Sequence, residues 1–169
     1  MTTSTGAIPG KPVRASRMTL SQLMQPEHAN LRGDVHGGWI MKLVDEAGAL
    51  AAMRHAQARV VTVAIDQMRF HEPIRIGDVV ILESEVCYVG RTSMEARVQV
   101  IAENPVTGQR TRTNTAFLVY VALDEDGHPR PVPPLIAESE SELRRQQAGK
   151  ERQAYRMAQH QAERREAGG

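Results

Sequence analysis

The sequence predicts an α+β domain in which one long helix lies across one antiparallel sheet. Two observations carry this. Apolar residues at Trp39, Ile40, Leu43, Val44, Ala47, Leu50 and Ala51 recur at three- and four-residue steps, the period of a buried helix. A run of β-patterned stretches follows, divided by turn residues at Gly77-Asp78, Gly90 and Asn104-Pro105-Val106-Thr107-Gly108.

Residues 1–14, rich in Thr, Gly and Pro, read as a flexible N-terminal arm. From Met18 to Met24 an imperfect two-residue alternation predicts a first strand, which Pro26 ends. After the helix, Arg59 to Phe70 reads as a strand with Val61, Val63 and Ile65 on one face and Thr62, Ala64 and Asp66 on the other. Val79 to Val89 is long and β-rich. Met94, Ala96, Val98, Val100 and Ala102 alternate with Glu95, Arg97, Gln99 and Glu103, which predicts a strand with one wet face. The last strand, about Thr111 to Leu123, is apolar on both faces in its second half, as suits the middle of a sheet or a subunit interface. Prolines 129, 131, 133 and 134 mark a boundary. Residues 136–169 are rich in Glu, Arg, Gln and Ala, with Leu143, Tyr155 and Met157 as the few apolar anchors; they predict a charged, partly helical tail. The organisation read from the chain is thus 1–14 arm, 15–135 domain, 136–169 tail.

Composition narrows the function. Lys plus Arg number 21 and Asp plus Glu 20, a net charge of +1 that gives no electrostatic case for nucleic acid. The single cysteine, Cys87, excludes an internal disulfide and suits a reducing compartment. No apolar run has membrane-spanning length and no signal-peptide pattern is present, so a cytoplasmic location is expected. Six histidines lie scattered without ligand spacing, so no metal site is expected.

The candidate site centres on residues 28–56. Gly37 and Gly38 open the predicted helix, where unpaired N–H groups and the positive end of the dipole can polarise an acyl oxygen; equally, two glycines can merely allow a tight turn into the helix. Asp45 falls in the helix interior, where aspartate is a poor helix former. It could lie on an exposed stripe beside Glu46, with Lys42 completing a solvated face. Yet it shares its side with Gly48, Ala49 and Ala52 rather than with charges, so it faces a close approach of something, which favours an active-site acid.

Asn30, Gly33, His36-Gly37-Gly38, Asp45-Glu46-Ala47-Gly48, Val61-Thr62-Val63, Phe70-x-x-Pro73, Gly77-Asp78 and Gly90-Arg91-Thr92-Ser93, in that order, resemble the acyl-CoA thioesterases of the hotdog fold. The resemblance covers roughly residues 18–135. It implies that the helix is the filling of a hotdog and that the reaction is hydrolysis of acyl-CoA to fatty acid and CoA, with no cofactor beyond the CoA of the substrate. Asp45 would be the general base, or a nucleophile forming a transient anhydride. Asn30 would orient the water or hold the acyl oxygen, and the amide of Gly37 or Gly38 would polarise the carbonyl. His36 would line the site. Gly90, Arg91, Thr92 and Ser93 would hold CoA, with the Arg91 fork on phosphate, and Thr62 and Val63 would line the pantetheine channel. Two alternatives stand beside this: a hotdog acyl-thioester dehydratase, against which the placement of Asp45 argues, and a non-catalytic acyl-CoA sensor.

Asp45 lies seven residues beyond Gly38, roughly 10 Å along a helix axis, too far for both to act on one thioester from the same helix. Sites shared between two subunits are therefore expected, and the resemblance implies a homodimer assembled further into a trimer of dimers.

Overall fold

The structure, a computed structural model, describes residues 8–66 and 68–167. A five-stranded antiparallel sheet, in the order β2-β4-β5-β6-β3, is built from β2 (Met18–Leu23), β3 (Arg59–Ile65), β4 (Val79–Val89), β5 (Ser93–Glu103) and β6 (Arg110–Leu123). It wraps α1 (Gly37–Ala56), whose Ile40, Leu43, Val44, Ala47 and Ala52 are buried against Leu82, Val86, Met94, Val98 and Leu118. The apolar period read from the sequence is the contact face of this helix, and its burial drives the assembly of sheet on helix.

Four expectations need correction. The strand expected to run to Phe70 ends at Ile65. The chain leaves the sheet there because its next residues brace the start of α1: Val35 donates to the carbonyl of Ile74 at 2.8 Å, and the Phe70 ring rests on Gly37. The expected flexible arm is, in its described part, fastened. Lys11–Pro12 (β1) pairs in parallel with Leu135–Ile136 (β7), Val13 is buried, and Lys11 Nζ donates to the carbonyl of His55 at 2.9 Å; residues 1–7 of that arm lie outside the described residues. The wet face expected on β5 is dry: Glu95 is 1 % exposed and Gln99 9 %. What covers it is the tail, a helix α2 (Glu140–Ala167) lying on the outer face of the sheet. Finally, the anchors of that helix are not the apolar residues. Leu143, Tyr155 and Met157 are all exposed, while Arg145 pairs with Glu85 on β4 at 3.0 Å, and Arg152 and Arg156 pair with Glu95 on β5 at 2.6 and 2.7 Å.

β6 lies inside the sheet, between β5 and β3, as its two apolar faces predict. β3 is an edge, and its Val61, Val63 and Ile65 are exposed by 42 %, 55 % and 42 %. Among the described residues, no helix is long and apolar enough to cross a membrane.

Candidate functional site

The helix start holds one group of the expected residues. His36 is the N-cap of α1, and its Nδ1 accepts the N–H of Gly38 at 2.9 Å. The Gly38 amide is thus already engaged, which removes one of the two donors expected for an acyl oxygen and gives His36 a capping role. The Gly37 N–H has no intramolecular acceptor among the described residues. Gly37 lines a cleft of about 350 Å³ with Asn30, Val35, Phe70 and Pro73. The Oδ1 of Asn30 accepts from the N–H of Arg32 at 2.8 Å and of Asp34 at 3.3 Å. With its oxygen fastening the loop, Asn30 has its amide N–H₂ left as the group to offer a ligand.

Asp45 lies elsewhere, half-buried two turns along α1. Its Oδ1 accepts from the Thr62 hydroxyl at 2.8 Å and lies 3.1 Å from the Tyr120 hydroxyl, which is also 2.9 Å from the Asp45 carbonyl. Oδ2 has no partner among the described residues. Tyr120 is fully buried on β6. Burial first, and then the neighbouring Asp45 charge, push its pKa well above the ordinary tyrosine value, so the hydroxyl keeps its proton. The close approach read from Gly48, Ala49 and Ala52 is this tyrosine. A Cβ at position 48 would stand 3.1 Å from Tyr120 Cζ and closer still to its oxygen. Sequence reasoning missed Tyr120, although a glycine in a helix interior three residues after the acid was a signal that something occupies its place.

Thr62, Tyr120 and Met94 form one row across β3, β6 and β5, and the next row is Val61, Val121 and Ser93. The acid therefore sits near the β4–β5 turn that carries Gly90, Arg91, Thr92 and Ser93. That turn is fixed through its backbone. Gly90 donates to Ser93 at 2.8 Å, Thr92 accepts from Ala122 at 3.0 Å and Arg91 accepts from Val132 at 3.1 Å, while the Arg91 side chain is left exposed. The cleft of Asn30 and Gly37 belongs to the other end of the sheet. Met24, just before its loop, donates to Asp78, which adjoins the start of β4, and the eleven residues of β4 separate that point from Gly90 by roughly 35 Å of strand. One chain thus presents two half-sets: donors at one end, and an acid beside the Gly90 turn at the other. Val63 points outward on the exposed β3.

Among the described residues, the cluster with metal-ligating chemistry is Asp124, Asp126 and His128, in the turn after β6. Asp124 Oδ1 already accepts the N–H groups of Asp126 and His128 at 3.0 and 2.8 Å, which makes the cluster a turn fastening.

The comparisons with known proteins agree with this architecture. A sequence model of the Thioesterase superfamily matches residues 32–109. The chain is 38% identical to the cytosolic acyl coenzyme A thioester hydrolase of Mus musculus over 88% of its own length, and it spans 40% of the length of that relative. It is 39% identical to the acyl-CoA thioester hydrolase YciA of Salmonella typhimurium, over 69% of this chain and 90% of that one. Among solved structures, an apo-hexameric acyl-CoA thioesterase superimposes with a TM-score of 0.86 at 39% identity, covering 90% of this chain and 97% of that one. The acyl-CoA hydrolase of Staphylococcus aureus, in complex with butyryl coenzyme A, coenzyme A and coenzyme A disulfide, does so at 0.85 and 30% identity, covering 93% and 96%. Alanine variants of that enzyme replace an asparagine, an aspartate and a threonine, spaced along its chain as Asn30, Asp45 and Thr62 are here. The helix wrapped in a curled antiparallel sheet is the hotdog fold, and the chain belongs to the acyl-CoA thioester hydrolases of the thioesterase superfamily.

Proposed function

We propose that the protein hydrolyses acyl-CoA thioesters, and that each of its active sites is completed by two copies of the chain. The observation that carries the reading is the separation of the half-sets. The acid, held on one oxygen by Thr62, and the donor cleft of Asn30 and Gly37 cannot meet on one helix.

In this reading the thioester carbonyl lies against the Gly37 N–H and the Asn30 amide of one copy, which stabilise the oxyanion as water adds. Asp45 of the other copy takes the proton of that water as general base, or attacks the carbonyl carbon itself to give an anhydride that water then opens. The C–S bond breaks, and CoA leaves as the thiol, its proton returned by Asp45 in the general-base course and supplied by water in the anhydride course. The Gly90–Ser93 turn holds the CoA moiety, with Arg91 extended toward phosphate and Val63 along the pantetheine path. CoA enters as part of the substrate, and the reaction uses no resident cofactor or metal.

The free edge of β3, with its exposed Val61, Val63 and Ile65, supports pairing of two copies there. A homodimer, assembled as a trimer of dimers, is in line with the hexameric state of the neighbouring thioesterase. The aspartate, threonine and asparagine replaced in the Staphylococcus aureus enzyme support the assignment of Asp45, Thr62 and Asn30. The cytosolic naming of the mouse relative supports a cytoplasmic location.

The test co-expresses Asn30→Ala and Asp45→Ala chains, each inactive alone, and follows thiol release from acyl-CoA substrates of graded length. Shared sites leave one intact site in every mixed dimer, so random pairing in equal amounts restores roughly a quarter of wild-type activity. No recovery in verified mixed dimers sinks the shared-site reading, and no thiol release by the wild-type protein from any of the substrates sinks the activity.

A further inference from the structure

We infer that Tyr120 is a positioning residue for hydrolysis: with Thr62 it holds Oδ1 of Asp45 and thereby commits Oδ2 to the substrate. The inference rests on the reading of Asp45 as the catalytic acid.

Three features of the structure converge on it. Both hydroxyls reach the same carboxylate oxygen, Thr62 at 2.8 Å from β3 and Tyr120 at 3.1 Å from β6, whereas Oδ2 has no partner among the described residues. Two donors arriving from different strands fix the carboxylate plane about χ2, a torsion that is otherwise broad for aspartate. The Tyr120 ring is itself fully buried between the sheet and α1, which confines it. Finally, the helix gives up a side chain to admit the hydroxyl: Gly48, one turn after Asp45, is where a Cβ would collide with it. A glycine in a helix interior costs about 1 kcal/mol relative to alanine. Its presence here is explained by the tyrosine, whose atoms are the three nearest to that Cβ position.

The phenol oxygen also lies 2.9 Å from the Asp45 carbonyl, and one proton serves one acceptor at a time. The charged carboxylate is the stronger acceptor, so the proton is directed to Oδ1 when Asp45 is ionised. The oxygen left over is the one that takes a proton from water or meets the thioester carbon.

The experiment measures kcat and KM for an acyl-CoA with Tyr120→Phe, Gly48→Ala, the double variant and Asp45→Asn, all verified as folded by circular dichroism. Tyr120→Phe keeps the ring and removes only the hydroxyl. It is expected to lower kcat by about tenfold to a hundredfold with KM within about twofold, because the lost contact orients the acid and does not bind CoA. Gly48→Ala crowds the hydroxyl and lowers kcat in the native background; on top of Tyr120→Phe it lowers kcat by a smaller factor, because the hydroxyl is gone while the ring carbons 3.1 and 3.2 Å from the added Cβ remain. Wild-type kcat in folded Tyr120→Phe, a loss confined to KM, or additive losses in the double variant would each overturn the inference. Asp45→Asn separates the two levels of the argument. If it keeps wild-type turnover, the catalytic reading of Asp45 fails and the inference with it. If it is inactive while Tyr120→Phe turns over normally, only the positioning role is lost.

Discussion

The two faces of the sheet are covered by two helices held in opposite ways. α1 lies on the inner face through apolar side chains, with Leu43, Val44 and Ile40 each 1 % exposed. α2 lies on the outer face through charges. Arg145 reaches Glu85, Arg152 and Arg156 reach Glu95, Arg156 also pairs with Asp66 at 2.7 Å, and the Arg152 guanidinium stacks 3.8 Å over the Phe117 ring. The difference teaches where the strength of the fold resides. Apolar burial adds stability in proportion to area, whereas buried ion pairs roughly balance their desolvation and instead punish the loss of one partner. The inner face should set the global stability, and the outer face should behave as a separable layer.

The sharpest break is expected from Leu43→Ala on the inner face. It leaves a cavity in the main core and should cost about 2–5 kcal/mol of unfolding free energy, read by urea denaturation. On the outer face Glu95→Ala should cost less, about 1–3 kcal/mol, because Arg152 and Arg156 are partly exposed and can turn to solvent. Its signature is local. Cys87 is 2 % exposed and its thiol lies 3.1 Å from Glu95 Oε1; burial, and then the Glu95 charge, raise its pKa well above the usual thiol value. Cys87 should therefore resist a thiol reagent in the native protein and react faster once α2 is loosened by Glu95→Ala. Equal labelling rates in the two proteins would show that α2 stays seated without its central acid.

A smaller effect tests a polar group within the inner layer. His55, near the end of α1, is fully buried; its Nε2 lies 2.8 Å from the Pro133 carbonyl, and its Nδ1 has no partner among the described residues. Burial lowers its pKa below the ordinary 6.5, outweighing the raising effect of the Pro133 hydrogen bond, with Lys11 lowering it further. The unfolded chain then takes a proton that the folded chain refuses. The stability due to the neutral His55 is therefore present above pH 6.5 and is lost as pH falls through and below that value. The drop in urea midpoint between about pH 7.5 and about pH 5.5 should shrink in His55→Gln. An unchanged slope would assign the acid sensitivity to other groups. The smallest effect is expected at Met157, which is 56 % exposed on the far part of α2: Met157→Ala should stay within about 0.5 kcal/mol of wild type.

This contrast also explains what could be read from the chain. The inner layer was legible, because the helical period of α1 and the alternation of β5 are local signals of apolar burial. The outer layer was not. Glu95, Arg97 and Gln99 look like a solvated face until arginines 57 and 61 residues further on are placed on Glu95, and no local pattern announces an ion pair made at that distance. The same holds within the candidate site. Asp45 stood out among small residues, and the glycines at the helix start marked its N-terminus. The engagement of Gly38 by His36 and the approach of Tyr120 from β6 depend on tertiary geometry, and only Gly48 hinted at the latter.

The run of small buried residues beside Asp45, Ala47, Gly48 and Ala52, has a consequence for how this chain can vary over generations. Where two large side chains meet, one can grow as the other shrinks, and a lineage can drift through many combinations. At Gly48 that exchange is tied to the acid: the ring that fills its missing side chain carries the hydroxyl that meets Asp45, so an enlargement there displaces the group that holds the carboxylate oxygen. Enlargement at Gly48 should lower turnover in proteins that still fold, so that descendants which have abandoned catalysis would be free to fill that position.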